Sequence, residues 1–428
     1  MIKVLHVVPR WIGGGPERHL LELARHDRDR PEQIERTLLV LDRPISSPLF
    51  IQARRVGLRM LNGSDRETVV KAVQEADIVD ITVWNHPKLL DWLRQPWPAS
   101  RVLMSAAVAG DTQPQILFPD LVAYPDGWLL SAPPGYGSQR PVLAHALVRH
   151  VPSLANMDRL LGHARRPHHG VRVAYLGSLT PIKLHPDMID VIARVDARFD
   201  LFGDADPHTV ERLRTALTRR QLTRRVWIHG HVEDLASAYA STDVFAYPLT
   251  PGSSATSEKA LQEAMWIGLP PVLLEGTASV GWIEPEVSGL LARDIPAFIV
   301  QLTRLIEDPE RRRVIGEAAR AHAREQFNPT NNAARIHGLV EELLAQPKRE
   351  RPPLPGAGSP PFGRFLQAVD LDAGALVDLV DAIVDKPFTP QRFHIVHGEG
   401  GWLHYAKEYG QAFVADLPQR VRCEVTKP

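Results

Sequence analysis

Short apolar runs alternate with amphipathic helical patterns along almost the whole chain, and this alternation limits the possible folds more than any other feature. The runs are rich in Val, Ile and Leu and largely continuous, which is typical of parallel strands buried on both faces. Such alternation predicts parallel sheets with helices on both sides. The predicted strands are 4–8, 37–41, 78–83, 102–106, 128–131, 171–176, 199–202, 226–229, 244–247 and 272–274. Helical patterns between them include 17–26 and 204–219.

The chain of 428 residues is long enough for two such domains and an appendage. The polar stretch 162–170 interrupts the alternation and predicts a linker. One doubly wound domain is therefore expected at residues 1–165 and a second at 170–345, the latter ending in helices from about 295 onward.

Residues 346–428 predict a different kind of structure. The part from 348 to 363 holds five prolines and three glycines, a composition that resists helix and sheet. A helical stripe follows in 365–383, formed by Leu366, Val369, Leu376, Leu379 and Val380. We expect a Pro-rich linker and a helical extension that packs on the N-terminal domain or forms an oligomer contact.

Composition restricts the partners and the compartment. Fifty Lys and Arg balance fifty Asp and Glu, so no global charge attracts nucleic acid or anionic lipid. The single Cys423 excludes an intrachain disulfide and a multi-cysteine metal site. No leader precedes the first predicted strand, and no apolar run approaches the roughly 20 residues that span a bilayer. These features predict a cytoplasmic protein without nucleic-acid or integral membrane association.

The stretch 251–274 carries the most informative functional pattern. Small hydroxylated residues, including Thr256 and Ser257, precede a predicted helix that Gly-Leu-Pro-Pro ends. Free amides at a helix start bind phosphate or sugar oxygens, and Glu263, two turns in, can accept hydrogen bonds from hydroxyls. The run 257–265 with Gly-Leu-Pro at 268–270 resembles the donor-binding segment of family-4 retaining glycosyltransferases of the GT-B superfamily.

This resemblance covers roughly residues 1–345 and is strongest from 171 to 291. It implies a GT-B architecture, α/β in class, with two doubly wound Rossmann-like domains facing a cleft. The C-terminal domain would bind a nucleotide-diphosphate sugar and the N-terminal domain the acceptor. The resemblance also implies retention of anomeric configuration, with no metal and no cofactor apart from the nucleotide-sugar co-substrate.

The first strand-to-helix turn, residues 9–18, contains three consecutive glycines, which let a backbone approach a ligand closely. It lacks the G-x-G-x-x-G spacing of a dinucleotide site, and a tight turn alone would also need glycine. The turn resembles the family's Gly-Gly-x-Glu-Arg loop beside the donor phosphates. Gly14 and Gly15 are therefore predicted donor-binding residues.

Residues 175–183 resemble the family pattern Gly-Arg-Leu-x-x-x-Lys, whose Arg and Lys clamp the pyrophosphate. A positioned ammonium neutralises the charge that develops on a diphosphate leaving group. Lys183 matches the pattern and is a predicted catalytic residue, while Ser178 stands at the arginine position, beside Gly177. Lys259 and Arg18 are candidates to replace the missing arginine.

Two further strand ends carry glycine, where open α/β sheets bind ligands. By the resemblance, Gly203, Gly230 and His231 line the base and ribose pocket. The sequence Asp204-Ala205-Asp206 looks like a metal-binding D-x-D. We interpret it instead as part of the family's glycine turn.

The catalytic segment departs from the family, which carries two glutamates eight positions apart. Glu263 matches the second and is expected to hold the ribose, but the first falls on Ala255. Glu258 is the candidate to contact the donor sugar instead, the alternative being a surface position on the helix. In the N-terminal half, His86 follows a strand end and is a candidate catalytic residue or a structural cap. Asp111 is a weaker candidate base.

Three functions remain open from the sequence. The first is transfer of a sugar from a nucleotide-diphosphate sugar to an acceptor, with a small molecule of specialised metabolism, such as antibiotic biosynthesis, as the expected acceptor. The second is an atypical transferase that joins an unusual donor to a thiol, cyclitol or aminosugar, suggested by Ala255 and Ser178. The third is a non-catalytic subunit that binds nucleotide or a partner. A homo-oligomer is a further expectation.

Overall fold

The computed structural model describes residues 1–28, 34–42, 48–83, 86–107, 119–135, 147–369, 371–383, 395–396, 401–419 and 421–422. These residues divide into two compact units. The first comprises the described parts of Met1–Ser131, Ser138–Val151 and Ala333–Pro428, and the second those of Ala132–Gly137 and Pro152–Asn332. The main division therefore follows Val151, ahead of the expected linker, because a last strand at 147–150 still belongs to the first sheet.

The first unit contains a seven-stranded sheet in which all pairings are parallel. Its strands are β1 (Ile2–Val8), β2 (Ile34–Val40), β3 (Arg59–Asn62), β4 (Ile78–Thr82), β6 (Val102–Ala106), β7 (Gly127–Leu130) and β8 (Leu147–His150), and a short β5 (Trp97–Ser100) lies outside this sheet. The order is β3-β2-β1-β4-β6-β7-β8, so the direction of winding reverses between β1 and β4. The helices between the strands are α1 (Gly15–Arg28), α2 (Pro48–Arg55), α3 (Arg66–Glu75), α4 (Pro87–Leu93) and α5 (Pro119–Ala123).

The second unit repeats this plan with six parallel strands. They are β9 (Arg172–Leu176), β10 (Arg198–Phe202), β11 (Val226–Gly230), β12 (Val244–Tyr247), β13 (Pro271–Leu274) and β14 (Leu290–Ala292), in the order β11-β10-β9-β12-β13-β14. The helices are α6 (Met188–Arg194), α7 (Pro207–Arg219), α8 (Leu235–Tyr239), α9 (Lys259–Trp266), α10 (Ile295–Glu307) and α11 (Pro309–Gln326), with 3₁₀ helices at Met157–Leu160 and Ala278–Trp282. Winding reverses between β9 and β12.

Each of the ten predicted strands coincides with an observed strand, which confirms the two doubly wound sheets. The sequence pattern identified these strands because they are buried and therefore apolar. Every residue of β4, β12 and β13 is buried. Shorter or more polar strands were missed, namely β3, β5, β8, β14 and β15 (Arg349–Arg351). No helix in the described ranges is both long enough and apolar enough to cross a membrane.

The extension is helical, as expected, but 365–383 is not one helix. After α12 (Pro329–Leu344), the structure has α13 (Pro361–Val369), α14 (Ala373–Ile383), α15 (Trp402–Tyr409) and α16 (Gln411–Val414). Asp372 starts α14 by accepting a 2.7 Å hydrogen bond from the Ala375 amide, and this cap separates α13 from α14. Phe365, Trp402 and Tyr405 are fully buried in a core of their own.

Strand β15 joins the extension to the first unit by pairing antiparallel with β5. Arg351 in β15 forms a buried ion pair with Asp126 and donates hydrogen bonds of 2.8 and 3.2 Å to the Ser100 carbonyl. Asp126 also accepts 2.8 Å from the Val102 amide. Arg349 pairs with the same carboxylate from an exposed position.

We predict that Arg351→Met destabilises the first unit by about 3 kcal/mol, because the buried Asp126 carboxylate then keeps only its exposed cationic partner, Arg349. The exposed Arg349→Met is the matched control and should cost less than about 1 kcal/mol. Hydrogen exchange of the β5 and β6 amides under increasing urea measures both. Equal effects of the two variants would show that burial does not set the strength of this contact.

Candidate functional site

The second unit has one crevice where ligands are expected. In open α/β sheets, ligands bind outside the carboxyl ends of the strands where the winding reverses, here between β9 and β12. The loop after β9 carries Lys183, and the segment after β12 leads to Glu258 at the start of α9. The fold therefore brings together two predicted residues that are distant in sequence.

Lys183 and Glu258 form an ion pair, with 2.5 Å between Lys183 Nζ and Glu258 Oε2. The Tyr247 hydroxyl donates a 2.8 Å hydrogen bond to the same oxygen. The loop that carries Lys183 is held by a 3.0 Å hydrogen bond from the Thr250 amide to the Lys183 carbonyl. The Lys183 and Glu258 side chains are 24% and 16% exposed, so a ligand can reach the pair.

The charge of Glu258 depends on these neighbours. Burial alone would raise the pKa of its carboxyl, but the Lys183 ammonium and the hydrogen bonds from Tyr247 and the Thr256 amide bring the pKa below its ordinary value. Glu258 is therefore ionised at neutral pH. The pair presents an ammonium that can bind a diphosphate and a carboxylate that can accept hydrogen bonds from sugar hydroxyls.

Glu263 lies deeper, within α9, and is only 4% exposed. Arg159 Nη1 approaches its Oε1 to 3.9 Å from the 3₁₀ helix at Met157–Leu160. Burial, and then the charge of Glu263, raise the pKa of the Tyr239 phenol far above its usual value. The predicted contact between Glu263 and a ribose stays a prediction.

The start of α9 also anchors the chain that enters the second unit. Ser257 Oγ accepts a 2.7 Å hydrogen bond from the Ser153 amide. Lys259 Nζ donates a 2.7 Å hydrogen bond to the Leu154 carbonyl, and the Gln262 side-chain amide donates a 3.0 Å hydrogen bond to the Ser153 carbonyl. Ser257 and Lys259 thus have structural contacts in place, and their binding of a donor stays a prediction.

The carboxyl ends of β9, β10 and β11 are joined through glycine backbones. The Gly177 amide donates 2.9 Å to the Phe202 carbonyl, and the Gly203 amide donates 2.8 Å to that of Gly230. A Cβ at Gly203, whose φ is +142°, would lie 1.8 Å from the Gly177 carbonyl oxygen. Glycine at 203 is therefore required by the approach of two strand ends.

The polar residues beside these glycines make local contacts. Ser178, at the expected arginine position, is exposed, and its Oγ lies 3.0 Å from Thr180 Oγ1. The exposed His231 lies 3.3 Å from the Asp204 carboxylate. Asp206 caps α7 by accepting a 2.9 Å hydrogen bond from an amide in its first turn.

In the first unit, the glycine turn after β1 folds around a buried carboxylate. Burial raises the pKa of the Glu17 carboxyl, and the nearby backbone of Glu17, Ile12 and Gly14 opposes this increase. Gly13 needs its φ of +99°, and a Cβ at Gly14 would lie 2.9 Å from Glu17 Oε2. Gly15 is the open part of the turn, since a Cβ there would meet nothing within 4 Å.

His86, at the start of α4, is fully buried. Its Nδ1 accepts a 3.2 Å hydrogen bond from the Lys88 amide, so it caps the helix. His404 of α15 packs edge-on against it, with 4.6 Å between ring centroids. The structure assigns His86 the role of a cap, and its catalytic role stays a prediction.

Other predicted residues fall elsewhere. Ala255 is buried, so the position of the family's first glutamate offers no polar group. Asp111 and Cys423 lie outside the described residues. Sequence reasoning missed Arg159 and His404. Neither follows a strand end or lies in a motif, so no local signal could identify them.

Comparison with known proteins supports the same assignment. Residues 170–308 match the family model described as "Glycosyl transferases group 1". No curated protein matches. The structure is similar to HepE from Anabaena in complex with UDP and glucose (TM-score 0.64, 17% identity), covering 80% of this chain and 100% of that one. It is also similar to sucrose-phosphate synthase from Thermosynechococcus elongatus (TM-score 0.63, 17% identity), covering 81% of this chain and 100% of that one. A third similar structure is AviGT4, involved in avilamycin A biosynthesis (TM-score 0.51, 17% identity), covering 81% of this chain and 98% of that one.

The two doubly wound sheets and these structural neighbours define a GT-B fold. Within this fold, residues 170–308 match the group 1 glycosyltransferase model, and this domain together with the structural neighbours indicates a glycosyltransferase. The Lys183–Glu258 pair lies within this domain.

We predict opposite effects from substitutions in this pair. Lys183→Gln should weaken binding of a nucleoside diphosphate about 10- to 100-fold, the scale of a lost charge-assisted hydrogen bond. Glu258→Gln should leave that affinity equal or higher, because the ammonium no longer has a competing carboxylate. Calorimetric titration with UDP, GDP, ADP and dTDP measures both. A loss of affinity in both variants would contradict the assigned phosphate role of the ammonium.

We also predict that contact between α4 and α15 weakens as pH falls below 6.5. Burial, then the His404 ring and Arg10, keep the pKa of His86 well below its usual value. Burial, then Arg10 and Lys407, lower the pKa of His404 to about 4. The Asp42 carboxylate acts to raise both pKa values, and the Lys88 ammonium acts to lower them. As the pH falls, the imidazoles bind protons in the unfolded state before they do in the folded state. The free energy of unfolding therefore decreases by up to about 1.4 kcal/mol per pH unit because of His86.

Hydrogen exchange of residues 87–93 and 402–409 between pH 7.5 and 4.5, corrected for intrinsic exchange, tests this prediction. His86→Asn keeps a capping side chain but removes the proton linkage, and should be less sensitive to acid. The same acid sensitivity in wild type and variant would assign the effect to other groups.

Proposed function

We propose that the protein transfers a glycosyl group from a nucleotide-diphosphate sugar to an acceptor hydroxyl. The observation that carries this proposal is the partly buried, ligand-accessible Lys183–Glu258 pair at the winding reversal of the second unit. It lies inside the matched domain. The similar fold of HepE, in complex with UDP and glucose, supports a nucleotide sugar as donor.

In this proposal Lys183 neutralises charge on the departing diphosphate. Glu258 accepts hydrogen bonds from donor-sugar hydroxyls in place of the carboxylate that Ala255 lacks. Glu263, behind them, holds the nucleotide ribose. This would place all three interactions along one helix and the loop beside it.

We propose retention of configuration. The bond between the anomeric carbon and the diphosphate oxygen breaks, and a bond to the acceptor oxygen forms on the same face of the sugar. The acceptor proton passes to the departing diphosphate. Positioning and charge stabilisation then supply most of the rate, and the reaction needs no cofactor apart from the donor.

We propose a small molecule of specialised metabolism as acceptor and the cytoplasm as compartment. Support for the acceptor comes from Ala255, which departs from the usual donor site, and from the similar fold of AviGT4. Support for the compartment comes from the single cysteine.

The first experiment is titration of the full chain with UDP, GDP, ADP and dTDP, followed by transfer assays with sugars of the nucleotide that binds. Mass spectrometry identifies the product, and NMR coupling constants assign its anomeric configuration. Glu263→Gln should weaken nucleotide binding by roughly 1–3 kcal/mol, while the exposed Glu211→Gln on α7 should not. Binding without transfer would favour the non-catalytic alternative, and an inverted product would refute retention.

A further inference from the structure

The winding of the first unit reverses between β1 and β4, so this unit also has a crevice at the carboxyl ends of its strands. Arg10 follows β1 there, and His86 follows β4. The Arg10 guanidinium is close enough to lower the pKa values of both His86 and His404. His404 comes from the C-terminal extension, yet it lies beside groups at the centre of this edge.

Side-chain contacts fix the position of α15 along α4. His404 meets His86 at the first end of α4, and Glu408 Oε1 lies 3.4 Å from Lys88 Nζ. Further along, the Tyr409 hydroxyl donates a hydrogen bond to Asp91. The two helices therefore run in the same direction, and the beginning of α15 reaches the edge of the sheet where β4 ends.

The extension also determines which of the two imidazoles is accessible to a ligand. His86 is fully buried and uses Nδ1 to cap α4. His404 covers it and keeps part of its own surface exposed. Burial and the nearby cations Arg10 and Lys407 lower the pKa of His404 to about 4, so its ring is neutral at pH 7. A neutral imidazole both donates and accepts a hydrogen bond, as recognition of a hydroxyl requires.

We propose that α15 forms one wall of the acceptor pocket and that His404 is a positioning residue that hydrogen-bonds an acceptor hydroxyl. The acceptor class is a hydroxylated small molecule, because a neutral imidazole can donate a hydrogen bond to a hydroxyl and accept one from it. This inference rests on the proposed glycosyl transfer and adds to it the part of the chain that recognises the acceptor.

The test uses the full-length protein, the nucleotide sugar selected by titration, and myo-inositol with methyl glycosides as acceptor probes. His404→Ala should lower kcat/KM for the acceptor about 10- to 100-fold, the scale of one or two lost hydrogen bonds. Nucleotide affinity and hydrolysis of the donor by water should not change. His404→Gln, which can still donate and accept, should recover part of the loss.

Gln411→Ala is the matched control, since Gln411 is an exposed, uncharged residue of the next helix of the extension, and it should leave acceptor kinetics unchanged. Hydrogen exchange of 402–409 verifies that α15 stays docked in each variant. If His404→Ala transfers sugar to the acceptor as well as the wild type does, this inference alone is overturned. Equal losses in His404→Ala, His404→Gln and Gln411→Ala would also overturn it. Absence of transfer by the wild type would overturn the proposed function and this inference together.

Discussion

Burial of parallel strands on both faces is the constraint on which both units depend. Parallel strands need crossover connections, so their carboxyl ends all lie at one edge of the sheet. Where the order of winding reverses, neighbouring loops leave in opposite directions and open a crevice. In the second unit this topology brings Lys183 to Glu258, and in the first it brings Arg10 near His86, against which the extension packs His404.

In the proposed mechanism, the Lys183–Glu258 pair supplies the carboxylate that Ala255 does not. Glu258 starts α9 rather than lying in the preceding loop, and Tyr247 at the end of β12 donates to it. The ammonium keeps this carboxyl ionised despite its burial. In the proposed mechanism the same ammonium would exchange its carboxylate for the donor diphosphate, which couples donor binding to the release of Glu258.

The extension has a core of its own and also binds the first unit through polar contacts. Arg351 with Asp126 forms a buried pair at one end, and Tyr409 with Asp91 forms another contact on α4. Because these contacts fix where α15 lies, a change far from the sheet edge can move His404. The proposed recognition of an acceptor by His404 would therefore depend on the stability of the extension.

The sequence by itself determined the two sheets and the position of Lys183, because continuous apolar runs and a loop after a buried strand are local signals. It also identified Glu258 as a candidate, though not its partners. Only the tertiary structure decided that Lys259 contacts the Leu154 carbonyl, that His86 is buried as a cap, and that His404 reaches the sheet edge. These outcomes depend on packing between residues far apart in the chain, which no local pattern records.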